Sequence, residues 1–333
     1  MELSPDRRRR TRTWLGRALL SFVALVAALL LAELLLRIVC RDASFRAARE
    51  LVQFRASPTW ADRYTVDPEM GFRPVLDTGL YSAYGALRND YPAEKRASLT
   101  RVLFVGDSVT ARATIVDSLH QLYGEDGFEY WNAGVDSFNT IQEVAFYQRY
   151  NRALKPDHVV LTFHMNDFET TPVVFIEHGH LVVYAPNMPV REVQAGLFKA
   201  SRLYRLLLGA LSQSDASIDR VVRETTDALH RLQVMVADDH ARLSVIVLPF
   251  LRPLDTWSAG DHMTHRLAIE ALTRMGIRHF DMLPVVQAAL REGIVASEAT
   301  GDDWHPSVAM GQRIAAALHD AGLLQEPPTE QLR

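Results

Sequence analysis

Beyond residue 100, short runs rich in β-branched and aromatic residues alternate with longer stretches in which apolar positions recur every three or four residues. The short runs at residues 101–105, 128–131, 158–163, 243–248 and 277–280 are bounded by turn residues and predict β-strands. The helical pattern covers residues 115–123, 141–152, 193–211, 218–241, 265–275 and 307–321. Each crossover must return the chain to the same end of the sheet, so this alternation predicts a parallel sheet with helices on both faces. The expected fold class is therefore α/β, a three-layer α/β/α sandwich of flavodoxin-like style. One segment departs from the alternation. Residues 173–176 and 181–184 flank His178-Gly179-His180, which predicts an inserted β-hairpin with Gly179 in its turn, placed to overhang a site at the carboxyl end of the sheet. Leu203, Leu206 and Leu207 fall on the apolar stripe of a helix and are expected in the core.

The amino-terminal pattern is different in kind. Arg7, Arg8, Arg9, Arg10, Arg12 and Arg17 precede an apolar run from Ala18 to Leu36 that only Ser21 and Glu33 interrupt, long enough to cross a bilayer. Basic residues on that flank stay in the cytoplasm, so the rest of the chain is expected outside it, in the periplasm. A cleaved signal and a buried core helix compete with this reading. The run passes through Glu33 into Leu34, Leu35 and Leu36 without a small-x-small site, which favours an uncleaved single-pass anchor in the cytoplasmic membrane. Cys40 lacks the residues expected before a lipidated cysteine and reads as a free thiol near the membrane surface.

The expected organisation is a basic tail at 1–17, an anchor at 18–39, a stalk and irregular lead-in at 40–100, a catalytic domain at 101–323 and a tail at 324–333. The lead-in has no sustained period and carries Pro58, Pro68, Pro74 and Pro92. A net charge of −4 over 333 residues, without a basic patch past the anchor, argues against a nucleic-acid partner. A single cysteine excludes an intrachain disulfide and a cysteine metal cluster. His164, His178 and His180 have no acidic or cysteine ligand spaced with them, and Gly106 lacks the continuation of a phosphate loop, so neither a metal nor another cofactor is expected.

Candidate chemistry begins where the strand Val102-Leu103-Phe104-Val105 runs into Gly106-Asp107-Ser108. A residue at the carboxyl end of a parallel strand faces an open crevice, and a following helix start offers backbone N–H groups to developing negative charge. A capping serine is the plain alternative. Near the other end, Gly301-Asp302-Asp303-Trp304-His305-Pro306 sets a carboxylate three residues before a histidine, with Pro306 suited to the start of the last helix. Such a loop lets Asp302 reach Nδ1 of His305 while Nε2 is left for an alcohol, and an Asx turn beside a surface histidine is the competing reading.

These segments, with Asn132-Ala133-Gly134 and Met165-Asn166-Asp167 between them, resemble in order the sequence blocks of the SGNH (GDSL-like) hydrolase superfamily, over residues 101–323. The resemblance implies a serine esterase, here carried on the expected membrane anchor, with Ser108 as nucleophile, His305 as base and Asp302 orienting the base. It further implies an oxyanion hole made by the Ser108 and Gly134 N–H groups and the Asn166 amide. The family includes O-acyltransferases as well as esterases, and its anchored members often act on surface polysaccharide. The expected substrate is thus an acyl ester, above all an O-acetylated glycan, and envelope polysaccharide machinery is the expected partner. A polysaccharide O-acetyltransferase using the same triad is the alternative activity, and a non-catalytic glycan-binding scaffold is the alternative class. Val109 and His164 depart from the family blocks, which usually have leucine or phenylalanine and glycine there. His164 is expected to be a structural histidine.

Overall fold

A computed structural model describes residues 5–39, 63–77, 79–177, 180–184, 195–212 and 215–325. The strands are β1 (Tyr64–Asp67), β2 (Gly71–Pro74), β3 (Thr100–Gly106), β4 (Phe128–Gly134), β5 (His158–His164), β6 (Val173–Glu177), β7 (His180–Tyr184), β8 (Arg242–Leu248) and β9 (Arg278–Asp281). The helices are α1 (Pro5–Val39), α2 (Ser108–Ala111), α3 (Thr114–Tyr123), α4 (Thr140–Arg149), α5 (Ala195–Ala200), α6 (Arg202–Ser212), α7 (Asp215–Asp238), α8 (Ala259–Arg274), α9 (Leu283–Arg291) and α10 (Val308–Asp320). The chain divides into two compact units, Met1–Ala56 with Asn187–Ser217, and Ser57–Pro186 with Ile218–Arg333.

The larger unit is a three-layer α/β/α sandwich. Five strands pair in parallel in the order β4-β3-β5-β8-β9. Alternate residues of each strand feed two separate cores. Leu103, Val105, Val159, Leu161, Val245 and Val247 pack against α4, α7 and α8, while Val102, Phe104, Val160, Ile246 and Leu248 pack against α3, α9 and α10. Burial on both faces is why these strands read as continuous apolar runs, each large side chain contributing about 1.5–3 kcal/mol. The chain leaves β3 to one side for β4 and returns to its other side for β5. That reversal opens a crevice beyond the carboxyl ends of β3 and β5.

At its opposite end β3 is pinned by Arg101, which is fully buried. Its guanidinium donates to Glu129 at 2.7 Å and to the carbonyls of Pro92, Ala93, Glu94 and Leu154 at 2.7–3.2 Å. Register follows, with Gly106 opposite Gly134.

The lead-in differs from expectation. The described residues between 63 and 100 are folded, with β1 and β2 paired antiparallel and Tyr64, Met70, Phe72 and Tyr81 packed against Val135, Phe138 and Phe146. Four-residue strands ended by Pro68 and Pro74 are too short to show a period. The β6–β7 hairpin forms as expected and its strands lie against β1. Its turn, His178 and Gly179, and Cys40 are outside the described residues. Leu324, expected to begin the tail, is buried in the second core.

In the smaller unit, Gly16–Val39 of α1 is a candidate membrane span with mean hydropathy 2.7 and none of its most apolar window buried. Leu203 and Leu206 on α6 are only half-buried and Leu207 is 54% exposed, so the expected core role fails for these leucines. Their stripe is amphipathic, and nothing in its spacing distinguishes a core from another apolar surrounding.

Candidate active site

Strand β3 ends at Gly106, where a Cβ would stand 2.2 Å from the Thr110 hydroxyl, so only glycine lets the chain turn there. Asp107 caps the single turn α2, its Oδ1 accepting from the Val109 N–H at 2.9 Å. Ser108 follows as the first residue of that turn, half-buried at the crevice floor.

The partner loop comes from the opposite end of the domain. Residues 296–307 fold back on themselves through Glu298 N–H to His305 O at 3.0 Å and Ser307 N–H to Ala296 O at 2.9 Å. The Leu251 N–H, after β8, donates to Asp303 O at 2.8 Å, and Arg112, after α2, pairs with Glu298. Asp302 Oδ1 accepts from the Trp304 and His305 N–H groups at 2.9 and 3.1 Å, and Oδ2 lies 2.8 Å from His305 Nδ1. His305 Nε2 lies 2.8 Å from Ser108 Oγ. Burial works against the Asp302 charge, but those backbone and ring donors outweigh it and hold the carboxyl below the usual carboxylate range. With Oδ2 accepting, the ring hydrogen is assigned to Nδ1, and Nε2 is free to accept the Ser108 hydroxyl proton. The structure therefore brings Ser108, His305 and Asp302 into one hydrogen-bonded line.

The remaining expected residues divide. Asn166, after β5, faces the same crevice, its Nδ2 3.4 Å from Asp107 Oδ2 and its Oδ1 2.9 Å from His164 Nδ1. Gly134 is close by, but its N–H donates to Asn132 Oδ1 at 2.9 Å, so that hydrogen is already used. The glycine itself is required by packing, since a Cβ would stand 2.2 Å from the Ala111 nitrogen. Three residues on, Ser137 is exposed in the left-handed region at φ 60°, a conformation a non-glycine residue rarely holds without need. Because Gly134 lies opposite Gly106, residues 135–137 continue beside Asp107 and Ser108. The N–H groups of Ser108 and Ser137 have no protein acceptor among the described residues.

Sequence reasoning singled out His164 as a structural histidine but missed the carboxyl groups beneath it. His164 is fully buried, and burial pushes its imidazole down, toward the neutral form. Its Nδ1 hydrogen fixes the Asn166 amide, and the ring packs 5.0 Å from Trp304 and 5.7 Å from Phe250. Beneath lie the carboxyls of Glu143 and Asp167, both pushed well up, first by burial and then by nearby negative charge, from Asp167 and Asp107 at Glu143 and from Asp107 and Glu169 at Asp167. Glu169 is raised to about 7, by burial and then by Asp107. The available signal was the position of Glu143 on α4, on the same face as Phe146 and Tyr147.

No protein family and no curated protein matches the chain by sequence. Solved structures similar to it include a catalytic mutant of Axe2, an acetylxylan esterase from Geobacillus stearothermophilus, at 16% identity and a TM-score of 0.45 over 69% of this chain and 97% of that one. LAE5, an alpha/beta hydrolase enzyme from the metagenome of Lake Arreo, Spain, has 19% identity and a TM-score of 0.46 over 69% of this chain and 99% of that one.

Proposed function

We propose that this protein is a membrane-anchored serine esterase that removes acyl groups, in particular O-acetyl groups, from an extracytoplasmic glycan. The observation that carries the reading is the line from Asp302 through His305 to Ser108, with both contacts at 2.8 Å. His305 Nε2 takes the Ser108 proton as Oγ attacks the ester carbonyl carbon. The resulting oxyanion lies toward the Ser108 N–H, the Asn166 amide and, with the Gly134 hydrogen committed to Asn132, the unused N–H of Ser137. As the intermediate collapses, His305 returns the proton to the departing alcohol and Ser108 is left as an acyl ester. Water, activated by the same imidazole, then releases the acid and restores the serine. Partial exposure of Ser108 leaves water a path to that ester. Trp304, 37% exposed and adjacent to His305, offers a flat apolar face of the kind on which a sugar ring stacks. The arginine-rich segment before the apolar helix supports an uncleaved anchor with its amino terminus in the cytoplasm and the catalytic unit outside.

The test is labelling of the full-length protein with a fluorophosphonate probe, beside Ser108→Ala. Labelling of the native protein and none of the variant is expected. Equal labelling of both, or none of either when the protein is folded, overturns the reading.

A further inference from the structure

We infer that α5 and α6 form a second membrane-contacting element, lying against the outer part of α1 with lipid acyl chains as their remaining neighbours. This rests on the reading of α1 as a spanning helix and is independent of the chemistry at Ser108. Its starting point is Glu33, the one charged residue within the apolar run. Centring Gly16–Val39 on a bilayer puts Glu33 about 8 Å from the midplane, inside a hydrocarbon layer about 30 Å thick. A carboxylate at that depth is costly unless it is paired.

The structure pairs it completely, and with a segment 168–170 residues away in sequence. Glu33 accepts from the N–H groups of Arg202 and Leu203 at 3.1 and 2.9 Å, from Ser201 Oγ at 3.0 Å and from Arg37 Nε at 2.8 Å. The carboxylate thus caps the amino terminus of α6, satisfying donors that a helix start leaves open and placing negative charge at its positive end. Arg37 Nη2 donates to Ala200 O at 2.6 Å, and Arg202 Nη1 to the Leu36 and Arg37 carbonyls at 3.4 and 3.2 Å. Residues 200–203 are thereby fixed at the level of residues 33–37.

What α5 and α6 show on their other side matches that depth. Phe198 and Leu208 are buried, but Leu197 and Leu207 are 53% and 54% exposed, as are Leu34 and Leu35 of α1 at 54% and 50%. The start of α6 is held at the level of residues 33–37, and a helix tied by its first residues to the hydrocarbon layer has acyl chains beside it, not water. The association uses hydrogen bonds in place of the hydrophobic effect, which has no purchase between helices already in lipid.

The test uses the full-length protein with Cys40→Ser, in vesicles of zwitterionic and anionic phospholipid. Nitroxide labels are placed one at a time through Leu207→Cys, Leu25→Cys in the span and Leu122→Cys on the exposed face of α3. Collision with oxygen, which concentrates in lipid, is compared with collision with a water-soluble nickel chelate. The expected ratio at 207 resembles that at 25 and exceeds that at 122 several-fold, and adding Glu33→Leu lowers the ratio at 207 while leaving that at 25 unchanged. A label at 207 as open to nickel as that at 122, with 25 in lipid, overturns the proposal alone. A label at 207 shielded from both reagents replaces lipid by a second protein surface and also overturns it. Nickel access at 25 removes the spanning reading itself.

Discussion

Asp302→Asn separates an orienting carboxylate from a merely structural one. Asp302 uses both oxygens as acceptors, Oδ1 for the Trp304 and His305 N–H groups and Oδ2 for His305 Nδ1. An asparagine has one oxygen. If it keeps the two backbone donors, its NH2 faces Nδ1, which must then accept, and the ring hydrogen moves to Nε2. Nε2 next to Ser108 is then a donor and the hydroxyl proton has nowhere to go. The flipped amide would set NH2 against two N–H groups, giving up two hydrogen bonds of about 1 kcal/mol each, so the first orientation wins. The expected loss in kcat/KM is about 10³–10⁴, or about 4–5.5 kcal/mol of transition-state stabilisation. Hydrolysis of p-nitrophenyl acetate by the detergent-solubilised protein measures it, with thermal unfolding as the control for the loop, whose backbone bonds the variant retains. A folded Asp302→Asn protein within tenfold of native activity refutes this role.

Three further outcomes follow from the floor of the site. Glu169 is raised from 4.5 to about 7, so the folded state holds its proton more tightly than the unfolded chain and stability falls as pH rises through that window; the full cost above it is about 3 kcal/mol. Urea unfolding of Glu169→Gln should therefore gain about 3 kcal/mol on the native protein between pH 4 and pH 8, and a pH-independent difference contradicts the assignment. Gly134→Ala places a Cβ against the backbone of Ala111 and Thr110, which can yield only by moving α2; a stability loss of about 3 kcal/mol with loss of esterase activity is expected, and native thermal stability would show that the approach is looser. His164→Ala removes the donor that fixes the Asn166 amide; kcat should fall about tenfold with KM unchanged, whereas a change confined to KM would assign His164 to substrate binding.

What could be read from the sequence follows from how each element is buried. Strands such as His158–His164 are enclosed on both faces, so their apolar runs betray them directly. The Ser108, Asp302 and His305 segments stand out because glycines, a proline and polar residues interrupt such patterns at strand ends and terminal loops. Ser137 was hidden because its left-handed backbone is usually announced by glycine. Gly134 was misleading for the opposite reason, since a glycine required by packing against Ala111 looks the same as one left open for a ligand. Leu207 shows the limit of periodicity, which records that a face is apolar without recording what covers it.

Two clusters of buried polar groups in the larger unit lie at opposite ends of the sheet and solve opposite problems. At the amino end of β3, Arg101 and Glu129 are both charged, and every guanidinium N–H finds a carbonyl or carboxylate, so the pair fixes the register of β3 on β4. At the carboxyl end, Glu143 has no hydrogen-bond partner for either oxygen among the described residues, and Asp167 has none for Oδ1. Two carboxylates there would oppose the negative charge that a tetrahedral intermediate brings to the adjoining crevice. Burial, with Asp107 nearby, pushes both carboxyls well up, toward the neutral form, in which they occupy the floor without placing two further negative charges beneath the proposed oxyanion donors, the Ser108 and Ser137 N–H groups and the Asn166 amide.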